Sequence, residues 1–184
     1  MRKLCPKRIL LSLYNSLIYT HLSYGICVWG TVEDTYLEKI RLSQNKALRA
    51  ITGSQLTAST DSLYESVNVL KLDEIFQFQY ASLMYDQNHG NLPSCFNTYF
   101  RKVEDIHCHN TRMASSHKLS ENVKFKTKTH GNSMFKFKGP KILNKLNDLN
   151  FYGASKNKSY FRRKYKIKVF IHSLSKLFWI FIII

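Results

Sequence analysis

The stretch from Leu10 to Gly30 constrains the fold most, because its apolar residues recur at intervals of three and four positions. They are Leu10, Leu13, Tyr14, Leu17, Ile18 and Leu22. This spacing places them on one wide face of an α-helix. A helix with such a face is normally buried against other elements, so the pattern predicts a core helix. Its tyrosines are interpreted as packing groups rather than as a binding site.

Helical spacing continues up to Pro93 and predicts four amphipathic helices. The first covers about residues 6–24 and the second about 33–52, with Gly53 as its C-cap. Thr60 or Asp61 is expected to cap a short helix over 63–67, and Asp73 a fourth helix that stops before residue 90. The predicted buried face of the second helix consists of Leu37, Ile40, Gln44, Ala47, Leu48 and Ile51. Short connections would join the four helices into a small bundle.

Charge divides the 184-residue chain into two unlike halves. Residues 1–92 hold 9 Lys and Arg against 8 Asp and Glu, whereas residues 93–184 hold 19 against 4. The formal net charge of +16 therefore lies almost entirely in the second half. Such an excess indicates a polyanionic partner, with nucleic acid first and an anionic membrane second. A general lysine bias of the source genome is the alternative interpretation.

Alternation with a period of two occurs only near residues 122–138. Val123, Phe125 and Thr127 alternate with lysines, and Phe135 and Phe137 do so again after an expected turn at 129–132. The pattern predicts a short β-hairpin with its phenylalanines toward the core. Its outward lysines would be Lys124, Lys126, Lys128, Lys136 and Lys138, and such a row could follow a phosphate backbone. The alternative is a solvated face that protects the sheet edge from aggregation.

Two basic helices are expected after the hairpin, over about residues 140–149 and 160–173. The second carries the candidate nucleic-acid-binding residues Arg162, Arg163, Lys164 and Lys166, with Tyr160, Phe161 and Tyr165 between them. Arginine beside aromatic rings can stack on bases or riboses. The alternative is an amphipathic helix that docks through its aromatic residues. Neither basic region has a means of reading base sequence, so nonspecific binding is predicted.

No arrangement of residues indicates a catalytic or metal site. The four cysteines, Cys5, Cys27, Cys95 and Cys108, form no Cys-x-x-Cys pair, and the adjacent 107–109 triplet has the wrong spacing for zinc. The sequence has no phosphate-cradling glycine loop and no nucleophile elbow. We therefore expect no metal, no cofactor and no catalytic residue. The cysteine usage favours a reducing, intracellular compartment.

The two ends complete the expected organisation. The basic residues before the first apolar run imitate a signal peptide, but polar residues interrupt that run. The apolar run Leu177–Ile184 is far shorter than the roughly 20 residues that span a bilayer, so membrane attachment is not favoured. We expect a helical bundle over 1–92, a linker over 93–121, a basic hairpin-plus-helix region over 122–173 and an apolar tail over 174–184.

Short motifs occur in a definite order along the chain. They include Leu13-Tyr14, Ser16–Tyr19, Leu22–Gly25, Val28–Gly30, Gln44, Arg49–Ile51, Leu83–Tyr85, Leu92-Pro93, His109–Arg112 and Gly139–Lys141. Their order over about residues 5–170 resembles the region that follows the catalytic palm in reverse transcriptases of non-LTR retrotransposons (jockey-like and related elements). The resemblance implies a thumb-like bundle followed by a basic C-terminal region, with Gly139–Lys141 just before a helix.

The resemblance also implies what the chain would do. Enzymes of that family bind two catalytic metal ions through palm aspartates, two of them in an Asp-Asp turn, and this sequence contains no Asp-Asp pair. The chain is therefore expected to be a reverse transcriptase fragment that binds RNA or DNA nonspecifically and is not itself an enzyme. Its partners would be nucleic-acid backbones and the palm and fingers of the parent polymerase. The alternatives are a stand-alone basic interaction protein and a weakly membrane-associated protein.

Overall fold

The computed structural model describes residues 5–96, 100, 103, 105–106, 109, 119, 135–147 and 157–167. Within 135–147, it describes the side chains of residues 137–144. These residues are mainly helical, which confirms the predicted class. The chain divides into two compact units. Unit 1 comprises Met1–Phe76 and unit 2 comprises Gln77–Ile184. The predicted boundaries near residues 92, 121 and 173 stay predictions.

The helices follow one another with short connections in the first part of the chain. They are α1 (Lys7–Leu13), a π-helical segment (Tyr14–Tyr19), α2 (Thr20–Ser23), α3 (Ile26–Trp29), α4 (Asp34–Thr52), α5 (Asp61–Ser66) and α6 (Leu72–Asn88). A 3₁₀ turn at Ser94–Phe96 precedes α7 (Phe135–Asn147) and α8 (158–167). The four helices predicted before Pro93 are present near their predicted bounds. The π-helical segment and α3 were not predicted.

Unit 1 is built around the contact of the first helices with α4 and α5. Its core consists of Tyr14, Leu48, Ile51, Tyr64, Val67 and Val69, with Leu10, Leu11, Ile18, Tyr19 and Ala47 packed against it. The predicted buried face of α4 is confirmed at Leu37, Gln44, Leu48 and Ile51. The predicted burial of the first helix is only partly correct, because Leu13 and Leu17 remain 46% and 59% exposed. The apolar face is wider than the surface available to cover it.

The ends of the unit 1 helices differ in part from the predicted caps. Gly53 ends α4 in the left-handed conformation, with φ of 83°, and its amide donates to the carbonyl of Arg49, as predicted. Asp73 does not cap α6, because the helix begins at Leu72 and Asp73 lies within its first turn, where its carboxylate binds the guanidinium of Arg41 at 2.8 Å. The backbone amide of Lys71 instead donates to the carboxylate of Glu74. An ion pair thus takes the place of the expected cap.

Unit 2 packs α7 and α8 against the second part of α6. Phe78, Tyr80, Ala81, Met84 and Tyr85 of α6 are buried. Gly139 of α7 allows a close approach there, since a Cβ atom at this position would lie 2.9 Å from the sulfur of Met84. The side-chain amide of Asn144 makes two hydrogen bonds with the backbone of Leu119. Its Nδ2 donates to the Leu119 carbonyl at 2.9 Å, and its Oδ1 accepts from the Leu119 amide at 3.0 Å. Buried apolar residues therefore come from all three helices.

The prediction of a second hairpin strand is wrong. Residues 135–138, including Lys136 and Lys138, form the first turn of α7, and Gly139 and Pro140 lie inside that helix rather than before it. Four alternating residues are a weak strand signal, and tertiary packing overrides it. The helix buries Gly139, Pro140 and Leu143 on one side. The first strand, with Lys124, Lys126 and Lys128, lies outside the described residues.

Candidate nucleic-acid interface

Two buried aromatic residues, one turn apart, attach α8 to α6. Phe161 is fully buried, and its ring stacks on that of Tyr85 with centroids 4.6 Å apart and 27° between planes. The ring of Tyr165 lies 6.0 Å from those of Phe161 and Phe78. Burial raises the pKa of Tyr165 to about 12. This contact fixes which side of α8 is turned away from the core.

Two cations of α8 reach back to α6 along one flank of the helix. Lys158 pairs with the carboxylate of Asp86, and the guanidinium of Arg162 lies over the ring of Phe78, 5.1 Å from its centroid. Lys158, Arg162 and Lys166 are four residues apart, so they lie on the same flank. Burial lowers the pKa of Lys166. The flank is basic, but contacts within unit 2 already hold part of its charge.

Arg163 occupies the position of α8 farthest from the core. Phe161 and Tyr165 define the inner side, and a residue midway between them in sequence points to the opposite side at 100° per residue. Arg163 is exposed, and no ion pair within the described part of the chain involves it. Tyr160 lies three residues before it and is also exposed. Arg163 is therefore the cation most available to an external anion.

The structure brings together one of the two predicted groups of basic residues. Arg162, Arg163, Lys164 and Lys166 all lie on α8, the first two exposed and the last two half-buried. Lys138 is half-buried in α7, while Lys136 lies in α7 with its side chain outside the described set. The two lysines therefore belong to a helix, so they form no strand row with Lys124, Lys126 and Lys128.

Two further basic residues were missed by the sequence analysis. Lys158 belongs to the α8 flank, and its spacing of four residues from Arg162 could have revealed it. Lys141 is exposed on α7, and its ammonium lies 5.8 Å from the centroid of the Phe137 ring. The sequence analysis placed Gly139–Lys141 just before a helix. It therefore missed this contact, which requires Phe137 and Lys141 to lie on the same helix.

The described residues form neither a metal site nor a membrane-spanning helix. No group of three or more His, Cys, Asp or Glu that could hold a metal ion occurs there. Cys95 is exposed, whereas Cys108 and His107 lie outside that part of the chain. No helix of the described ranges is long and apolar enough to cross a membrane. Comparison with protein-family models, curated proteins and solved structures finds no match.

Proposed function

We propose that the chain is a nonspecific RNA- or DNA-binding part of a non-LTR retrotransposon reverse transcriptase, without polymerase activity of its own. The binding proposal depends on how the side chains of α8 are arranged. Two aromatic residues anchor one side of this helix, and the opposite side presents Arg163 to solvent. Rigidly mounted cations can neutralise phosphates without ordering a flexible segment first. The excess of positive charge in residues 93–184 supports the same partner.

The geometry of α8 favours backbone contact over base recognition. Arg162 is engaged with Phe78, and only Arg163 projects directly outward. A single outward arginine can contact phosphates in many registers, which gives affinity without sequence preference. The order of short motifs supports the reverse transcriptase assignment, and the absence of an Asp-Asp pair supports the lack of polymerisation. The protein is accordingly expected to extend no primer on an RNA template with magnesium or manganese.

The test is a salt titration of RNA and DNA binding by Arg163→Gln. Loss of one phosphate contact should lower the slope of log affinity against log salt by about 0.9 on duplex DNA and about 0.7 on single strands. The loss should be the same for unrelated sequences. Lys39→Gln is the matched control, because Lys39 is an exposed cation on α4 in unit 1. Identical slopes for the two variants would show that α8 is only a solvated, docked helix.

A further inference from the structure

An open apolar groove lies between the first helix and α4 in unit 1. Its volume is about 230 Å³, and its lining residues are Leu10, Leu13, Tyr14, Leu17, Ile18, Ala47, Ala50 and Ile51. An apolar cavity of about 150 Å³ accepts a benzene-sized molecule, so this groove has room for large apolar side chains. The core beneath it is well packed, since Tyr14 and Leu48 are almost fully buried. The groove is thus a surface feature rather than a defect of the core.

The first helix, which forms one wall of the groove, exposes several large apolar side chains to solvent. Ile9, Leu13 and Leu17 recur every four residues and are each about half exposed. A continuous apolar stripe of this kind marks an interaction surface, whereas isolated exposed residues do not. The π-helical segment Tyr14–Tyr19 forms part of the same wall. Such segments are rare in proteins and occur often at functional sites.

Both walls of the groove carry positive charge only. Residues 1–32 contain no Asp or Glu, and neither do residues 39–60 of α4 and the loop after it. Lys7, one turn before Leu10 on the first helix, and Lys46, next to Ala47 on α4, are exposed. The acidic residues of α4, Asp34 and Glu38, bind Arg41. Glu38 precedes Ala47 by nine residues, a distance of about 13 Å along the helix axis.

We propose that this groove binds an amphipathic helix of a partner protein whose apolar stripe is flanked by Asp and Glu. Apolar side chains of the partner fill the space between α1 and α4, and its carboxylates face Lys7 and Lys46. Helices bind grooves between helices in this way through residues at spacings of three, four and seven. A lipid surface is the less suitable occupant, because it takes up the apolar face of an amphipathic helix that lies in the plane of the interface, whereas these apolar residues line an open groove between two helices.

Two synthetic helical peptides of 18 residues test the proposal. Both carry leucines at positions i, i+4, i+7 and i+11, and they differ only in having Glu or Lys on the flanks. Fluorescence anisotropy with the full chain should show binding of the Glu peptide at least tenfold tighter than that of the Lys peptide. Lys46→Glu should reduce that preference. Equal affinities, or no binding of either peptide, would overturn the proposal.

A matched pair of variants locates the binding site. Leu17 lines the groove and Leu42 does not, and the two are 59% and 48% exposed, so glutamate at either position should leave the fold intact. Leu17→Glu should weaken binding of the Glu peptide at least tenfold, and Leu42→Glu should leave its affinity unchanged. Circular dichroism verifies that both variants are folded. Equal effects of the two variants would refute the assigned site.

Two other occupants would also refute the proposal. One is an anionic phosphatidylserine vesicle that binds the chain more tightly than the Glu peptide does and is sensitive to Leu17→Glu. The other is a second copy of the chain, seen as a dimer in sedimentation that Leu17→Glu dissociates. Neither result would affect the nucleic-acid proposal, because that proposal depends on α8 in unit 2.

Discussion

The two units stabilise buried tyrosines in different ways. In unit 1, the hydroxyl of Tyr14 accepts a hydrogen bond from the buried amide of Gln44 at 2.8 Å, and Tyr64 donates to the side-chain carbonyl of Asn45 at 2.8 Å. In unit 2, the rings of Tyr85 and Tyr165 pack in the cluster around Phe161. A buried tyrosine carries both a large apolar ring and a polar hydroxyl, so its burial involves ring packing as well as hydrogen bonding.

Hydrogen bonds and ring contacts differ in how precisely they fix neighbouring helices. A hydrogen bond is directional, so Gln44, which also donates to the carbonyl of Leu70 at 2.9 Å, fixes α4 relative to both Tyr14 and the segment just before α6. Ring contacts tolerate tilts, as the interplanar angles of 27° to 47° in unit 2 illustrate. Burial raises the pKa of Tyr14, Tyr64 and Tyr165, so all three hydroxyls stay protonated to a higher pH than that of an exposed tyrosine.

The largest expected effect comes from removing the central ring of unit 2. Phe161→Ala should destabilise unit 2 by about 3–5 kcal/mol, because truncation of a fully buried phenylalanine leaves a cavity between α6 and α8. Urea denaturation followed by circular dichroism measures the loss, and hydrogen exchange should show reduced protection of α8. Tyr160→Ala is the control, since that neighbour is 54% exposed and its loss should change stability by less than about 0.5 kcal/mol. Comparable effects of the two variants would mean that α8 is not anchored by Phe161.

The sequence was most informative where helical spacing was long and regular. The bounds of α4 and its buried face could be predicted because its apolar residues recur over the whole helix and Gly53 ends it. Burial of Gln44 followed from its position on that face, but its partners did not. Tyr14 and Leu70 lie 30 and 26 residues away in sequence, so only the tertiary fold brings them to this amide.

Short patterns were misleading because tertiary contacts decide their structure. Residues 135–138 alternate like a strand but continue into the helix that Gly139 brings against Met84. The basic residues of α8 could be identified from composition, whereas the inner side of that helix could not be chosen among its three aromatic residues. The contacts with Tyr85 and Phe78 select Phe161 and Tyr165 and leave Tyr160 outside. Exposure of Leu13 and Leu17 was likewise not predictable, because it depends on how much surface α4 covers.

A smaller effect is expected from the polar centre of unit 1. Gln44→Met keeps the side-chain length but leaves the Tyr14 hydroxyl and the Leu70 carbonyl without their donor. Buried groups that lose their partners cost about 1–3 kcal/mol. The variant also removes the Oε1 atom of Gln44, which is buried and has no hydrogen-bond partner among the described residues. We therefore expect a loss near the lower end, about 1 kcal/mol, in urea denaturation.

Adding Tyr14→Phe to Gln44→Met controls for the polar origin of this loss. The double variant should recover part of the stability, because it removes the hydroxyl that the single variant leaves without a hydrogen-bond donor. A double variant less stable than the sum of the two single changes would contradict the assigned role of the hydrogen bond. Apolar repacking around residue 44 would then be the cause.

The smallest expected effect concerns Arg162, where stability and nucleic-acid binding can be separated. Arg162→Gln removes the contact of the guanidinium with the Phe78 ring and should destabilise unit 2 by about 0.5–1 kcal/mol, the range for cation–π contacts at exposed sites. Arg162→Lys should retain part of this contact, because an ammonium also binds a ring face but without planar stacking. Arg163→Gln provides the comparison, since Arg163 lies on the outer side of the same helix and has the same charge. Its stability should stay within about 0.5 kcal/mol of the wild type, whereas its salt-dependent binding should fall. If Arg162→Gln instead reduced binding as much as Arg163→Gln without loss of stability, the guanidinium would serve the external anion rather than the aromatic cluster. The ring cluster of unit 2 would then be held by Phe161 and Tyr165 alone.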